Sequence, residues 1–427
     1  MKKTGVLGVF RNFLAVAAVT AVLLSSCNDS NDSADGITRL TIWGSWTGTG
    51  MELFQQHIAK FNEENPGIVA KYVLQPEFEQ KILTAIAGGD VPDVLLWDRF
   101  HTNVYAPRGA LMPVDDLIAR DNVDPGIFFS EAVKELQNGD KTYGLPLVVD
   151  TRALFYNRDI FREVGLDPDR PPQTWDELRE YAVKLTKWEG GRMVRSGFAL
   201  NDVGLFNVWI LQAGGAMMNA DMQTVAFNSA AGLTVLNFWD QLLNRDRVYV
   251  VGFNDGQAEG QHPLVTGRVA MMWDGPWSIS TLARHAQDLD YGVAPLPAGP
   301  DGHRGAGMGG FGLTIANGSR NVDAAWEFVK WLTVNTSNNA EFAYITGNIP
   351  ANLEAAQDPR FTDDPHFAGI LENMQFATIR PQVNGYASME GNASIPVLQM
   401  FLSGERTAEQ ALAEAEAKGN QILADNR

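Results

Sequence analysis

The sequence predicts an α/β protein built of two lobes, and three observations support this prediction. Short apolar segments rich in β-branched residues alternate with helical patterns in the N-terminal part of the chain, as in sheets whose strands are connected by helices. Removal of an N-terminal leader would leave about 400 residues, more than one hydrophobic core normally organises. The apolar fraction of 45% and the charged fraction of 20% are typical of a well-packed globular protein.

Five consecutive elements predict the first sheet. They are strands at 37–43, 68–74 and 94–97 and helices at 51–61 and 78–87. Strands that alternate with helices form a largely parallel sheet, and ligands bind such sheets beyond the carboxyl ends of the strands. Residues 44–47, Asp98 and Arg99 are therefore expected to share one rim.

Later segments repeat this pattern. Residues 154–156 and 270–273 are short apolar runs and are candidate buried strands. Capping boxes at 174–177 and 407–410 open two further helices, since each has a threonine followed three positions later by Glu or Gln.

The N-terminal segment reads as an export leader followed by a tether. A basic start precedes an apolar run at 13–24, which is too short to span a bilayer but suits the core of a signal peptide over residues 1–27. The ending Leu-Ser-Ser-Cys resembles the bacterial lipobox, in which the cysteine is lipidated and becomes the mature N-terminus. An ordinary signal peptide with an incidental cysteine is the alternative. Residues 28–36 are too polar to fold alone, so the chain is expected to be exported and tethered to a membrane through Cys27.

Composition narrows the classes of partner. A formal net charge of −18 argues against nucleic acid and against anionic membrane surfaces, since both favour basic patches. The chain has one cysteine and can form no internal disulfide. Its eleven tryptophans are by default core residues, but several stand beside Gly, Ser or Asp. A flat ring at such a place can stack on the apolar face of a sugar while carboxylates and amides bind the hydroxyl groups.

No catalytic, metal-binding or cofactor motif stands out. The six histidines have no metal-ligand spacing, and HExxH, nucleophile-elbow and Walker A sequences are absent. The glycine run at 307–312 formally matches a dinucleotide pattern, but a strand is predicted after it, so these glycines fit close approach of the backbone to a ligand or to another strand. Paired carboxylates could serve a glycosidase, yet nothing selects an acid and a nucleophile among 51 acidic residues.

Short segments spread from Leu40 to the C-terminus resemble the landmarks of one family. They are 40–46, 61–67, 89–94, 97–100, 143–146, 150–157, 272–277, 291–297, 309–311 and 325–328. In their order and spacing the chain is similar to the extracytoplasmic solute-binding proteins of ABC sugar importers, in the maltose-binding-protein-like group (family 1).

The resemblance implies a two-lobe periplasmic-binding-protein (Venus flytrap) fold. Each lobe would be a mixed, mostly parallel sheet flanked by helices, and crossing hinge strands would join the lobes. Residues 37–147 and 296–333 would form the first lobe, and residues 148–295 and 334–427 the second. Closure around the solute would be the signal that the permease reads, a hinge motion biased by binding.

The resemblance also implies ligand-binding residues. Asp150 falls where the family places a hinge carboxylate that accepts sugar hydroxyls, and Trp277 matches a stacking tryptophan of the second lobe. Arg380 resembles a cleft arginine of some relatives, whereas Trp273 and Asp274 equally suit structural roles. The full expected set is Ser45, Trp46, Thr47, Trp97, Asp98, Arg99, Asp150, Trp209, Trp273, Asp274, Gly275, Trp277, Gly309, Gly310, Phe311, Arg380 and Tyr386.

The implied function is capture of a mono- or oligosaccharide, without catalysis or cofactor, and its delivery to an ABC permease. The protein would be a lipid-anchored monomer that faces the periplasm or the cell exterior. One alternative solute is a polyol phosphate such as glycerol 3-phosphate, which would require Arg99 and Arg380 to converge. A secreted carbohydrate hydrolase is the alternative from another class.

Overall fold

The computed structural model describes residues 36–254 and 261–426. The strands are β1 Thr38–Gly44, β2 Ile68–Leu74, β3 Val94–Asp98, β4 Gln137–Asn138, β5 Lys141–Thr142, β6 Gly144–Pro146, β7 Val148–Val149, β8 Ala153–Asn157, β9 Lys187–Glu189, β10 Arg192–Arg195, β11 Met271–Asp274, β12 Tyr291–Ala294, β13 Ala306–Gly307, β14 Phe311–Ile315, β15 Ile349–Pro350 and β16 Ala377–Thr378. The helices are α1 Gly48–Glu64, α2 Phe78–Gly88, α3 Thr102–Tyr105, α4 Asp115–Arg120, α5 Ser130–Glu135, α6 Arg158–Glu163, α7 Trp175–Leu185, α8 Phe206–Gln212, α9 Ala230–Asp240, α10 Trp277–His285, α11 Val322–Thr333, α12 Thr336–Thr346, α13 Pro359–Thr362, α14 Pro365–Met374, α15 Tyr386–Met389, α16 Ile395–Leu402 and α17 Ala408–Asp425.

The predicted N-terminal elements occur in the predicted order, and α17 begins with the predicted capping box of Thr407 and Gln410. The predicted signal peptide, Cys27 and residues 28–35 of the predicted tether lie outside the described residues.

The first sheet has the strand order β2-β1-β3-β14-β6. β1 runs parallel to β2 and β3, whereas β14 runs antiparallel to β3 and β6. A parallel strand needs a crossover connection, usually a helix, but β14 follows directly from a segment that crosses between the lobes. Its register sets Phe311 opposite Asp98 at the carboxyl end of β3, the rim that the sequence predicts for ligand binding.

The second sheet has the order β11-β8-β12, and both of its strand pairs are antiparallel. The prediction of a mostly parallel sheet is therefore wrong for this lobe. The reason is again the crossing, because β8 follows directly after the crossing strand β7 and lies between two strands that return in the opposite direction. Parallel pairing occurs beside β11. Ala199 forms an isolated parallel bridge to Met272 of β11, and Ser196 forms another to Val269, just before that strand.

Two segments contact a lobe other than the one to which the predicted division of the chain assigns them. The rest of that division stays a prediction. The division assigns α12 to the second lobe, but this helix packs on α1, where Lys60 pairs with Glu341 at 2.6 Å. It assigns residues 296–307 to the first lobe, but Gly305 O accepts a hydrogen bond from Gln212 Nε2 of α8 at 3.0 Å. The second crossing thus lies nearer to β14 than the sequence patterns indicate.

A buried arginine joins the end of β3 to the crossing segments. Arg99 is fully buried, and its Nη1 donates to Val148 O at 2.5 Å and to Phe311 O at 3.1 Å. Its Nη2 donates to Gly309 O at 2.6 Å, and its Nε donates to the Glu135 carboxylate at 3.1 Å. A buried charge is tolerated when it is paired and hydrogen-bonded, and these contacts meet that condition. We call Arg99, Glu135 and the three carbonyl groups the hinge clasp.

Gly310 lies against the hinge clasp. Its φ angle is +129°, a value that favours glycine. A Cβ atom at this position would lie 2.3 Å from Val148 O and 2.7 Å from Arg99 Nη1. A side chain therefore fits here only if the backbone or the clasp moves.

We expect Gly310→Ala to lower the free energy of unfolding by about 3 kcal/mol or more, because backbone strain and overpacking act together. Urea denaturation measures this loss. Gly302→Ala is the matched control, since Gly302 has a φ of +76° but a Cβ there would meet no atom within 4 Å. The control should lose only about 1 kcal/mol, and equal losses in the two variants would contradict the role of the clasp.

The hinge clasp also predicts a pH dependence. Burial raises the pKa of the Glu135 carboxyl from 4.5 to about 7, although Arg99 lowers that pKa, and Asp98 raises it further. Between these two pH values the native state binds a proton that the unfolded chain does not, so this group makes stability fall as the pH rises through that window.

The Glu135→Gln variant should lack this contribution. From pH 4.5 to 7, we expect the free energy of unfolding of the wild type to fall by up to about 3 kcal/mol more than that of the variant. Urea denaturation at several pH values measures both slopes. Indistinguishable slopes would show that Glu135 has the same pKa in the native and unfolded states.

Candidate ligand-binding cleft

Two adjoining cavities lie between the rim of the first sheet, the crossing segments, α8 and α10. The inner cavity of about 210 Å³ is lined by Asp98, Phe100, Glu135, Asp150, Arg152, Leu205, Asn207, Val208, Trp277, Gly307, Met308, Gly309, Gly310, Phe311 and Arg380. The outer cavity of about 540 Å³ is lined by Ser45, Trp46, Thr47, Thr49, Gly50, Asp150, Trp277, Ser280, Thr281, Phe311, Thr346 and Asn348. Asp150, Trp277 and Phe311 line both cavities, so the two form one cleft.

Two carboxylates supply hydrogen-bond acceptors to the inner cavity. Asp98 caps the turn after β3 and accepts a hydrogen bond from Phe100 N at 3.1 Å. Asp150 is held by a backbone bridge to Gly309 and accepts from Arg152 Nη1 at 3.2 Å. Burial raises the pKa of the Asp150 carboxyl, and the Arg152 guanidinium opposes that shift. A ligand hydroxyl that donates to Asp150 would replace part of the hydration that burial removes.

Trp277 forms the aromatic wall that the two cavities share. It is the first residue of α10, and 38% of it is exposed. The Arg152 guanidinium lies 4.6 Å from the ring centroid. The ring also covers Gly275, where a Cβ atom would lie 2.2 Å from it. Gly275 therefore lies against the ring and lines neither cavity.

A second aromatic group lies in the outer cavity. Trp46 contacts Phe311 edge to face, with 5.1 Å between the ring centroids. It is backed by Phe342, whose parallel ring lies 6.0 Å away. Ser45 and Thr47 on either side of Trp46 are exposed and line the same cavity. The turn after β1 thus faces the cleft, as predicted.

The structure therefore brings ten of the predicted residues to the cleft. They are Ser45, Trp46, Thr47, Asp98, Asp150, Trp277, Gly309, Gly310, Phe311 and Arg380. The others, apart from Gly275, are buried or close a turn, and they line neither cavity.

Trp97 is a core residue of the first lobe. Its Nε1 donates to Thr102 Oγ1 at 3.2 Å, and its ring packs edge to face on Phe78. Neighbouring side chains of a strand point to opposite faces, so Trp97 points away from the cavity that Asp98 lines. Arg99 lines neither cavity, because it is fully buried and makes four hydrogen bonds in the hinge clasp.

Trp209 and Trp273 form the core of the second lobe. Their rings stack with 3.9 Å between centroids and 18° between planes, and Trp209 is 1% exposed. Asn207, two residues before Trp209 on α8, lines the inner cavity. Two residues correspond to about 200° around a helix, so Trp209 points to the opposite side of α8.

Asp274 and Tyr386 have structural partners. Asp274 accepts hydrogen bonds from Ser278 Oγ at 2.6 Å and from Gly275 N at 2.7 Å, and pairs with His262 at 3.1 Å. It closes the turn before α10. Tyr386 is 1% exposed, and its hydroxyl donates to Glu390 at 3.4 Å.

Arg380 lines the inner cavity, but its charge is already paired. Its Nε lies 3.0 Å from a Glu390 oxygen, and its guanidinium lies 4.9 Å from the centroid of the Phe100 ring. Since Arg99 is engaged in the hinge clasp and Arg152 pairs with Asp150, every arginine at the cleft has a carboxylate partner.

Sequence reasoning missed Phe100, Arg152, Asn207, Thr346 and Asn348 as cleft residues. Asn207 had a signal that could have revealed it, because it is a polar residue in the otherwise apolar start of α8. Among the described residues, its Oδ1 atom is buried without a hydrogen-bond partner. Thr346 ends α12 and Asn348 follows it, and the sequence division assigned this helix to the other lobe.

Within residues 36–254 and 261–426, no group of three or more His, Cys, Asp or Glu side chains is arranged to hold a metal ion. In the same residues, no helix has the length and apolar character that crossing a bilayer requires.

Two sequence relatives bind different kinds of solute. The chain is 28% identical to the maltotriose-binding protein of Pyrococcus abyssi, over 81% of this chain and 74% of that protein. It is 25% identical to the sn-glycerol-3-phosphate-binding periplasmic protein of Escherichia coli, over 91% of this chain and 93% of that protein.

Two solved structures are similar over nearly the whole chain. The structure of CpMnBP1 with mannotriose bound has a TM-score of 0.79 and 28% identity, and covers 90% of this chain and 100% of that one. The GacH receptor of Streptomyces glaucescens, solved unliganded and with acarbose, has a TM-score of 0.79 and 27% identity, and covers 92% of this chain and 100% of that one.

The family model of the bacterial extracellular solute-binding proteins matches residues 45–338. This range includes every strand of the two sheets except β1, and most of the residues that line the cleft. The two-lobe fold and the family predicted from the sequence are confirmed, and the chain belongs to the bacterial extracellular solute-binding protein family.

Proposed function

We propose that this protein captures a neutral mono- or oligosaccharide in the cleft and delivers it to an ABC permease, without catalysing a reaction. The observation that carries this proposal is the position of Trp277, whose partly exposed ring lies beside the buried Asp150 carboxylate and lines both cavities. An aromatic face and an adjacent acceptor match the two chemical sides of a sugar ring, the apolar C–H face and the hydroxyl edge.

The shape of the cleft favours a ligand of more than one sugar unit. The inner cavity is small and lined by charged and polar groups, whereas the outer cavity adds Trp46 and Phe311 beside Trp277. A chain of sugar units could place one unit among the carboxylates and the next on the aromatic rings. The maltotriose-binding relative and the mannotriose complex of CpMnBP1 support this size class.

A polyol phosphate is the second candidate, because one relative is a glycerol-3-phosphate-binding protein. A phosphate group carries a charge of about −1.5 to −2 at neutral pH and needs unpaired cations. Arg99 is fully buried and pairs with Glu135, and Arg380 and Arg152 already pair with Glu390 and Asp150. The charges of the cleft therefore favour a neutral ligand.

A carbohydrate hydrolase, the third candidate, has less support. The relatives named above are binding proteins, and the buried carboxylates of the cleft are engaged with arginines. Glu135 pairs with Arg99, and Asp150 pairs with Arg152. A retaining or inverting glycosidase needs two carboxyl groups that can reach the glycosidic bond.

The family is extracellular, so the protein is exported. We further propose that lipidation of Cys27 holds it to a bacterial membrane as a monomer, with the permease as its protein partner. The Leu-Ser-Ser-Cys sequence at residues 24–27 supports the anchor.

The function is tested by a thermal-shift panel of mannotriose, maltotriose, monosaccharides and glycerol 3-phosphate. A ligand at a hundred times its dissociation constant adds about 2.7 kcal/mol to stability, enough to raise the melting temperature measurably. We expect at least one neutral sugar to raise it. A response to glycerol 3-phosphate alone would select the second candidate.

Loss of the shared aromatic wall should weaken binding. For the best sugar of the panel, we expect Trp277→Ala to lose about 2 kcal/mol or more, roughly 30-fold in Kd, by calorimetry. Trp188→Ala is the matched control, because Trp188 also lies under an arginine, with Arg247 4.1 Å from its ring, but outside both cavities. Unchanged affinity of Trp277→Ala would remove this ring from the binding site.

The anchor is tested by cell fractionation. In a bacterial host, the wild type should sediment with membranes. Cys27→Ser should lack the lipid and leave the membrane fraction, because the cysteine sulfur is the atom that carries the lipid. Ser26→Ala, which keeps a small residue before the cysteine, is the matched control. An equal membrane share for the wild type and Cys27→Ser would refute lipidation.

A further inference from the structure

Asn207 is a buried polar residue that the fold does not use. It lies near the start of α8, is 8% exposed and lines the inner cavity. Within the described residues, its Oδ1 atom has no hydrogen-bond partner. A buried acceptor without a partner destabilises the native state, so its presence calls for an explanation.

Other buried amides of the protein are satisfied. Gln212 on the same helix accepts from Trp175 Nε1 at 2.9 Å and donates to Gly305 O at 3.0 Å. Asn339 donates to Leu147 O at 2.8 Å and accepts from Asn352 N at 3.2 Å. Among the described asparagines, Asn207 alone has a buried side-chain atom without a partner. Buried side-chain atoms without a partner also occur at other described residues, namely His57, Thr151, Trp239, Trp273 and Thr314, but these are ring nitrogens and hydroxyl groups, and none of these residues lines the inner cavity.

The surroundings of Asn207 define the group that it could bind. A Cβ atom on Gly307 would lie 3.8 Å from Asn207 Nδ2, which sets the amide beside the crossing segment. The Asp98 and Asp150 carboxylates line the same cavity. The same cavity is lined by the Glu135 carboxyl group and by the Arg152 and Arg380 guanidinium groups, but each of these has an ion-pair partner. Among the described residues that line it, the acceptors without an ion pair are those of Asp98 and Asn207, and they need a ligand that donates hydrogen bonds. A hydroxyl group donates, whereas a phosphate that carries two negative charges has no proton to give.

We propose that Asn207 is a specificity-determining residue whose Oδ1 atom accepts a hydrogen bond from a hydroxyl group of the sugar unit in the inner cavity. The inner cavity then selects sugar units whose hydroxyl groups are free and discriminates against phosphorylated units. This inference rests on the proposed function, since it assigns a role to one residue of the same cleft.

The ligand-free protein gives the first test. Bound sugar is removed by unfolding and refolding, and the melting temperature of Asn207→Leu is compared with that of the wild type. Because the change removes an unpaired acceptor, we expect an equal or higher melting temperature. Asn339→Leu is the matched control and should melt lower, because it breaks satisfied hydrogen bonds. Asn207→Ala, which adds no volume, guards against a steric effect of leucine. If both Asn207 variants melt as low as Asn339→Leu, the amide is structural and the proposal is overturned.

Binding of mannotriose and maltotriose gives the second test. For whichever of the two stabilises the wild type, we expect Asn207→Leu to raise Kd by about tenfold or more, as loss of a buried hydrogen bond requires. Wild-type affinity in this variant would overturn the inference and leave the proposed function intact. A wild type that responds to neither trisaccharide and to no monosaccharide of the panel would contradict the proposed function itself, and the inference would fail with it.

Discussion

The buried guanidinium of Arg99 is the constraint on which the cleft depends. Removing a charge from water costs several kcal/mol unless hydrogen bonds surround it. Three of its partners are the carbonyl groups of Val148, Gly309 and Phe311, which lie on the two segments that cross between the lobes. The need to satisfy one charge therefore fixes the relative position of both crossing segments. A shift of either segment would leave a buried donor unpaired, with a penalty larger than that of an ordinary lost contact.

The fixed crossing also positions the groups that face the ligand. One residue beyond the crossing strand β7, Asp150 forms a backbone bridge to Gly309, so its carboxylate is held where both cavities meet. At the edge of the cleft, Arg284 of α10 pairs with Glu52 of α1 at 2.7 Å. Exposed ion pairs of this kind contribute little to the free energy that holds two surfaces together. A rigid crossing with weak edge contacts suits hinge closure, because a ligand's differential affinity can then decide between open and closed states.

The sequence predicted what local patterns encode and failed where partners are distant. The strands and helices up to β3 follow from apolar periodicity, and the rim of Asp98 follows from strand order. Arg99 was expected in the cleft, but its partners Glu135 and Phe311 lie 36 and 212 positions away, beyond the reach of any local pattern. Trp209 and Trp273 were expected from the family resemblance, which does not show which side of α8 or β11 a side chain points to. Asn207 is the opposite case, because a polar residue in an otherwise apolar helix is a local pattern from which its place in the cleft could have been predicted.

The pairing of charges in the cleft argues for selection by hydrogen bonding. The guanidinium groups of Arg99, Arg152 and Arg380 each have a carboxylate partner, so they shape the site without offering a strong field to an anion. Asp98 has no ion-pair partner among the described residues and Asn207 Oδ1 has no hydrogen-bond partner there, and both line the inner cavity. Acceptors without an ion-pair partner, beside cations that are already paired, disfavour a phosphate by repulsion and by a lack of free donors. A ligand that carries hydroxyl groups suits these acceptors better, because its O–H groups can donate to the Asp98 and Asn207 oxygens and offset the cost of burying them.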